Sequence, residues 1–594
     1  MQQPLRTLIL ASLWAAAGFA AGLAAGWAMP PETALAGVIS LPLWTCVALL
    51  ILAGFGVVRP GAEKWGIPLA VTLGLPLCGF LLAAKWQGMT SSDVILAGLL
   101  PNSDAAGYFA GALHFLQQGG LSPWTTRRPL SVLHLAGLLD IGGSLHLALI
   151  TLGISVAAAI AMVIAAIGRN KGLGLAAGTG AVLIPFYFPT LGSVMSENVG
   201  LTLGLCGFAL MWTAISGRDR SKLFALGLGI MALGLAARAG AMFVLPVSVF
   251  FAGWQFRGES RFSLTAAGLS LLAVALAFSI NWALLSLYGA EGGGGFSNFA
   301  FTLYGLVSGG HDWTWVYQQF PKLYALPEGE QAREVYHLAL AHLAAHPVDL
   351  LSGILRRYND FIFNARWYRI EGIGGLRYAL TAIAVAGLVH IVRRRDTHAS
   401  FILAGTIGTL LSVPFLGDGG VRVHAATIAF SAVLLGYGMR FILSRFRPAN
   451  PPDPDAAGTE LLPVALAVIL VMVPVAWAAL SPVTADDHPA PDARSCAKGA
   501  YMELATLPDA GIDITTSAQL DSVRSAVLPH GTLPEEMTTL QPPIRIGRAT
   551  PLDGKIHTFK WIVSKPGVHL PTHFGACTRQ RGKILYLDIV RARP

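Results

Sequence analysis

The side chains best suited to chemistry in this sequence are two carboxylates, Asp104 and Glu197, and four guanidiniums, Arg127, Arg128, Arg238 and Arg422. A carboxylate that meets a hydroxyl can take its proton as a general base. Guanidinium groups pair with phosphate, bidentately where the geometry allows, and stabilise charge that grows on a departing phosphate. A base and phosphate-binding cations together suit transfer of a group from a phosphate-bearing donor to a hydroxyl. Tyr108 and Tyr304 are candidate substrate contacts beside them.

Asp104 opens, and Arg127-Arg128-Pro129 close, the stretch 100–129, LPNSDAAGYFAGALHFLQQGGLSPWTTRRP. It lies between two long apolar runs and is too polar to cross a bilayer. Tyr108, Leu113, Phe115 and Leu116 alternate with Gly, Gln and His, which predicts a short helix on the membrane surface with a carboxylate at its start. The plainer role for Asp104 is an N-cap of that helix, and for Glu197 a helix-start carboxylate after an N-cap Ser196. His114, His134 and His146 read as interfacial residues rather than ligands.

The elements that must position these groups are membrane spans. Of the 594 residues 54% are hydrophobic and only 12% charged, about half the charged share of a soluble chain. Apolar runs near 8–29, 36–58, 67–84, 145–167, 173–190, 197–215, 222–237, 240–256, 263–288, 372–392, 399–416, 423–443 and 460–480 predict about 13 transmembrane helices. Every second connection is basic: Arg59 and Lys64, Arg169 and Lys171, Arg218 to Lys222, Arg257 and Arg261, Arg393 to Arg395, and Arg440 to Arg447. Those connections are expected in the cytoplasm, with the N-terminus inside and the C-terminus outside. Much of the net charge of +9 sits in these short loops, so no nucleic acid is expected as a partner. The remaining connections face outward and hold Asp104, Arg127, Arg128, Glu197, Arg238, Asp418 and Arg422. Polar residues gathered at one membrane edge suggest a shared site.

The chain divides into 1–65, two N-terminal spans; 66–290, a transmembrane core with a first outer loop 85–144; 291–371, an outer loop with interfacial helices; 372–480, C-terminal spans; and 481–594, a small extracytoplasmic domain. Ala237-Arg238-Ala239-Gly240 joins two short apolar stretches, a break that lines a cavity or else lets Arg238 snorkel to a headgroup. Residues 330–345 read as an amphipathic helix ended before His346-Pro347. In the last segment, 557–564 and 583–590 alternate as strands do. The fold class expected is therefore an all-α polytopic membrane protein with a small α+β C-terminal domain. Cys46, Cys78 and Cys206 fall in apolar runs and read as packing residues, whereas Cys496 and Cys577 in the outer tail predict a disulfide.

At Asp104-Ala-Ala-Gly-Tyr108, Arg127-Arg128-Pro129-Leu130, Ser196-Glu197-Asn198 with Gly200 and Gly204, the Arg238 turn and the aromatic outer loop, the sequence resembles the GT-C superfamily of integral-membrane glycosyltransferases. That group includes the protein O-mannosyltransferases and the lipid A aminoarabinose transferases. The resemblance covers roughly residues 65–440, as a pattern of loops and spans. It implies a GT-C-like fold and an inverting transfer of a sugar from a polyprenyl-phosphate donor, with Asp104 as base and Glu197 as the second acidic residue. It places the protein in a bacterial inner membrane, with membrane lipids around it. The acceptor would be extracytoplasmic: a cell-envelope glycan, a lipid or a protein. Many members show two adjacent acidic residues in the first loop, where this chain has Asp104 alone between Ser103 and Ala105. No cofactor is therefore assigned, and a divalent metal stays open. The competing functions are a transporter or flippase of a lipid-linked sugar, and a non-catalytic scaffold.

Overall fold

The computed structural model describes residues 17–28, 74, 76–86, 95–96, 100–217, 220–291, 293–363, 376–394, 396–416, 420–444, 461–481, 496, 500–506, 511–527, 540–551, 560–566, 573–581 and 584–592. The expected span 36–58, Arg59, Lys64, Asp418 and the linker 450–455 lie outside the described residues.

The bundle is built around one helix, Ser196–Ala214, in which all residues are buried. Its apolar and small side chains are spread evenly round the axis, so it has no polar face to give to water or headgroups and takes the centre of the bundle. Around it pack Leu145–Lys171, Ser221–Ala237, Leu461–Leu480 and a 3₁₀ helix, Gly420–Thr427. Helices at the periphery show one apolar face outward. Leu264, Leu271, Leu272, Leu276, Trp282 and Leu287 on Leu264–Tyr288 are exposed. In Leu461–Leu480 the buried residues Val464, Ala467, Val471, Val475 and Ala478 follow the helical repeat, while Leu466, Ile469, Leu470 and Val473 face out. Exposed leucine and valine at this density need a lipid solvent. Five described helices are long and apolar enough to cross a membrane, Leu145–Lys171, Leu173–Thr190, Leu264–Tyr288, Thr397–Phe415 and Gly420–Ile442, and a bent pair, Gly329–Ala345 with Pro347–Phe363, forms a sixth candidate. The chain is an integral membrane protein.

The expected thirteen spans are not reached among these residues. Two of the apolar runs form helices too short to cross alone, Ser221–Ala237 and Val244–Gln255.

Polar groups collect at the two ends of the central helix. Glu197 stands at its first turn, and beyond its other end Ser216 lies within hydrogen-bond distance of Asn170 (3.2 Å) and His398 (3.3 Å), next to the Lys171–Asp396 ion pair at 3.1 Å. The helical rise puts roughly 28 Å between Glu197 and Ser216, close to the roughly 30 Å of a hydrocarbon core.

The helix that carries Asp104, α1 (Ser103–Gln118), packs against α2 (Pro129–Gly142), and its Ala105, Tyr108, Phe109, Ala112, Leu113 and Phe115 are buried. Within the stretch 85–144, α2 is a second buried helix, from Pro129 through Leu139. Its fourteen residues are mostly apolar but too few to span, which is why hydropathy alone passes over them. His134, expected at the interface, sits inside the bundle with Nδ1 2.9 Å from the Val471 carbonyl. Leu461–Leu480 crosses α2 so closely that a Cβ added at Gly137 would stand 1.9 Å from the Pro474 carbonyl oxygen.

The C-terminal segment is a small α+β domain, as expected. Six strands, β3 (Ala500–Ala505), β4 (Gly511–Ile514), β5 (Ile544–Pro551), β6 (Lys560–Ser564), β7 (His573–Arg581) and β8 (Ile584–Ala592), order as β3-β7-β8-β6-β5-β4. A further pairing of β3 with β5, Leu504 opposite Pro551, closes five of them into a ring. Only β6 and β8 run parallel. One helix, Ser517–Val527, packs on β4, and Cys496 is bonded to Cys577 of β7. The short strands β1 (Ile95–Leu96) and β2 (Leu100–Pro101) pair antiparallel just before α1.

The α2 crossing is testable. Gly137→Ala should destabilise the protein by about 1–3 kcal/mol, the usual cost of overpacking, whereas Gly268→Ala, with open space around it, should leave thermal unfolding in detergent within a degree or two of wild type.

Candidate functional site

At one end of the central helix, five elements bring charged side chains together. Asp104 comes from the first turn of α1, Arg128 from the N-cap of α2, and Ser196 and Glu197 from the first turn of α3 (Ser196–Ala214). Arg238 is the C-cap of α4 (Ser221–Ala237), and Arg422 lies in the 3₁₀ helix. Asp104 does not cap α1, whereas Glu197 does stand in the first turn of α3 as a helix-start carboxylate. The N-cap of α1 is Asn102 and that of α3 is Met195, which leaves both carboxylates free to point at other groups.

Glu197 is the hub. Its Oε1 lies 3.2 Å from Arg238 Nη2 and 3.6 Å from Arg422 Nε. The Glu197 and Arg238 side chains are 3% and 4% exposed. Arg422 also reaches Asp104, Nη2 to Oδ2 at 3.4 Å, at the open side of the cluster, where the two side chains are 33% and 41% exposed. Tyr108, one turn along α1 from Asp104, accepts a hydrogen bond from Arg128. Arg128 Nη1 also donates to Ser196 Oγ at 3.0 Å, and that oxygen stands 3.0 Å from the Tyr108 hydroxyl and 3.4 Å from Glu197 Oε2. Three guanidiniums thus meet two carboxylates, leaving a surplus positive charge in a largely buried site. Arg238 Nε is buried with no hydrogen-bond partner. Glu197 Oε1 is likewise buried with no hydrogen-bond partner, and a surplus cation with an unused donor can receive an anion.

The backbone permits this convergence. A Cβ at Gly200 of α3 would stand 2.8 Å from Arg238 Cβ, and one at Gly204 would stand 2.1 Å from the Ala426 carbonyl. Small residues one turn apart therefore let both arginine-bearing elements close on α3. The break between α4 and α5 (Val244–Gln255) is mostly covered by neighbouring helices, with Phe243 at its end exposed. Ser131 Oγ donates to the Ala237 carbonyl at 2.9 Å, and the Phe243 amide donates to Ser412 Oγ at 3.1 Å. Neighbouring helices thus satisfy the polar groups that the break frees.

Of the residues expected at the site, Asp104, Tyr108, Arg128, Glu197, Arg238 and Arg422 come together. Arg127 and Tyr304 do not. Arg127 follows the short helix Pro123–Thr126, stacks 4.2 Å over the Trp124 ring and donates to Asn298. Adjacent residues at the end of a helical turn leave it in different directions, so the Arg127-Arg128 pair cannot serve one anion. Tyr304 packs in a separate aromatic cluster with Phe320 and His342. Two groups escaped the sequence reading. Ser196 joins Arg128, Tyr108 and Glu197, where its position before an acidic residue suggested only a cap. Lys85, 6% exposed, donates to the Phe188 and Leu191 carbonyls at 2.7 and 2.9 Å; a lone lysine closing an apolar run was the available signal.

Among the described residues no three His, Cys, Asp or Glu side chains group to hold a metal ion. In the cluster itself each carboxylate already faces a guanidinium, an environment that repels a divalent cation, so no step is assigned to one.

No protein-family model matches the chain, and no curated protein does. Among solved structures the chain is similar to ArnT from Cupriavidus metallidurans bound to undecaprenyl phosphate, at 14% identity over 61% of this chain and 77% of that one, with a TM-score of 0.27. An overlap that loose decides nothing about this chain.

A carboxylate buried among arginines is costly to remove alone. Glu197→Ala should destabilise the protein by about 3–5 kcal/mol and Arg238→Met by a similar amount, while Glu197→Leu with Arg238→Met together should cost less than either single change. Thermal unfolding of the four proteins in one detergent checks this; additive losses would mean that the pair is not coupled.

Proposed function

We propose that the protein is a membrane glycosyltransferase that moves a sugar from a polyprenyl-phosphate donor to a hydroxyl acceptor outside the cytoplasm, with Asp104 as general base. The observation that carries this reading is the union, at one end of the bundle, of a half-exposed carboxylate with a buried, cation-rich cluster of side chains. The acceptor oxygen attacks the anomeric carbon and loses its proton to Asp104. The bond from that carbon to the phosphate oxygen breaks, and its electron pair leaves with the lipid phosphate. A single displacement of this kind inverts the anomeric centre. Arg422 and Arg238 stabilise the charge that grows on the leaving oxygen.

The two carboxylates have different tasks in this scheme. Asp104 is accessible and can meet an acceptor. Glu197 is enclosed between guanidiniums and holds them in place, a positioning role. Arg422 bridges both, so entry of a phosphate would draw it from Asp104 and free the base. Arg127 and Tyr304 take no part in this scheme.

The test is transfer from a radiolabelled polyprenyl-phosphate sugar by the purified protein in proteoliposomes, with an envelope extract as the source of acceptor. Asp104→Asn should lower turnover at least about a hundredfold, the low end for loss of a general base, with thermal unfolding and insertion unchanged. Arg422→Ala should raise the donor KM as well as lower kcat. Retained turnover in Asp104→Asn would remove Asp104 from the mechanism. Movement of labelled lipid across the vesicle wall without any transfer product would replace this reading with transport.

A further inference from the structure

Leu100 lies four residues before Asp104, in β2, and is fully buried. The residues that bury it do not belong to the transmembrane bundle. Leu100 joins Ile514, Leu520, Val523, Leu540, Ile546, Trp561 and Val563 in one apolar cluster, the core of the C-terminal domain on its β4–β6 side. Around this plug the two units touch again. The helix Ser517–Val527 lies against β1, and β5 lies against α1 itself.

A second, independent feature sits between the plug and the base. Ser103 has φ of 51°, a left-handed conformation. A serine there is under strain and keeps that conformation only where both flanks are fixed by their surroundings. One flank is α1, packed on α2. The other is Leu100-Pro101, held by the domain. Ser103 is where the extended strand turns into the helix, so its conformation sets the direction in which the first turn of α1, and Asp104 on it, leaves the loop.

We propose that the C-terminal domain is a positioning device for Asp104, with Leu100 as its anchor in the first outer loop. The domain starts some 15 residues after the end of the last helix, at the Cys496–Cys577 bond. A domain far along the sequence therefore grips the segment that leads into the base. The grip uses apolar burial and contributes no group to the reacting atoms. That Asp104 is a base rests on the function proposed above; the grip itself does not.

Hydrogen exchange on the full-length protein in detergent reads the grip directly, because local opening is faster where packing is lost. Leu100→Ala, and separately Val523→Ala on the domain side, should speed exchange of the Ala106–Phe109 amides about tenfold or more, with the amides of Ser196–Ala214 and Ser221–Ala237 unchanged. Leu100→Met, close in volume, should restore protection. No change at Ala106–Phe109 in either alanine variant would overturn the proposal, and so would an equal loosening of the whole bundle. In the transfer assay the same alanine variants should lower kcat with the donor KM within about twofold, since the phosphate-facing arginines are untouched. A raised KM with kcat unchanged would assign the domain to substrate binding instead and overturn the positioning role. If the wild-type protein transfers no sugar, exchange still decides the grip, so its failure and that of the enzyme reading are separable.

Discussion

Glu197 is a carboxylate with almost no exposure inside a largely apolar bundle, and that fact constrains everything near it. Desolvating the charge costs several kcal/mol unless cations are brought to it. Arg238 and Arg422 meet that need from two different elements, and Arg422 carries the link on to Asp104. Each arginine needs its element to approach α3 more closely than ordinary side chains allow, and Gly200 and Gly204 provide the room. The ion cluster, the glycine face and the break after Ala237 are thus one arrangement viewed from different residues.

The membrane makes that arrangement one-sided. Backbone groups freed at a helix break cannot be left facing lipid, so the break lies within the bundle, where Ser131 and Ser412 answer it. The opposite end of α3 has its own polar cluster around Lys171, Asp396 and Ser216. Between them the central helix is apolar, apart from hydroxyls that bond back to their own helix, such as Thr202 to the Asn198 carbonyl. The charged residues Asp104, Glu197, Arg238 and Arg422 therefore gather at one edge, buried at Glu197 and Arg238 and open at Asp104 and Arg422.

The domain after the last helix packs on the loop that leads into α1. That loop is held from two sides, by α2 below Asp104 and by the closed sheet beyond Leu100. Its strained Ser103 is the joint between them. A site assembled from residues some three hundred positions apart gains precision when the segment bearing its most accessible carboxylate is fixed at both ends.

Composition and apolar periodicity by themselves determined that the chain lives in a bilayer, that its helices form the bulk of it, and that a small mixed domain with one disulfide follows. These follow from solvent preference and local propensity, which each segment carries alone. Asp104, Arg128, Glu197, Arg238 and Arg422 stood out too, because charges in an apolar chain are few and need a reason. Tertiary structure alone decided which of them meet. Arg127 and Arg128 are neighbours in sequence yet point apart, since successive side chains at the end of a turn diverge. Tyr304 fell to another cluster, and Ser196 proved a junction rather than a cap. The burial of α1 and α2, and the seating of Leu100 in a domain four hundred residues away, depend on what packs against them, and no single segment encodes its neighbours.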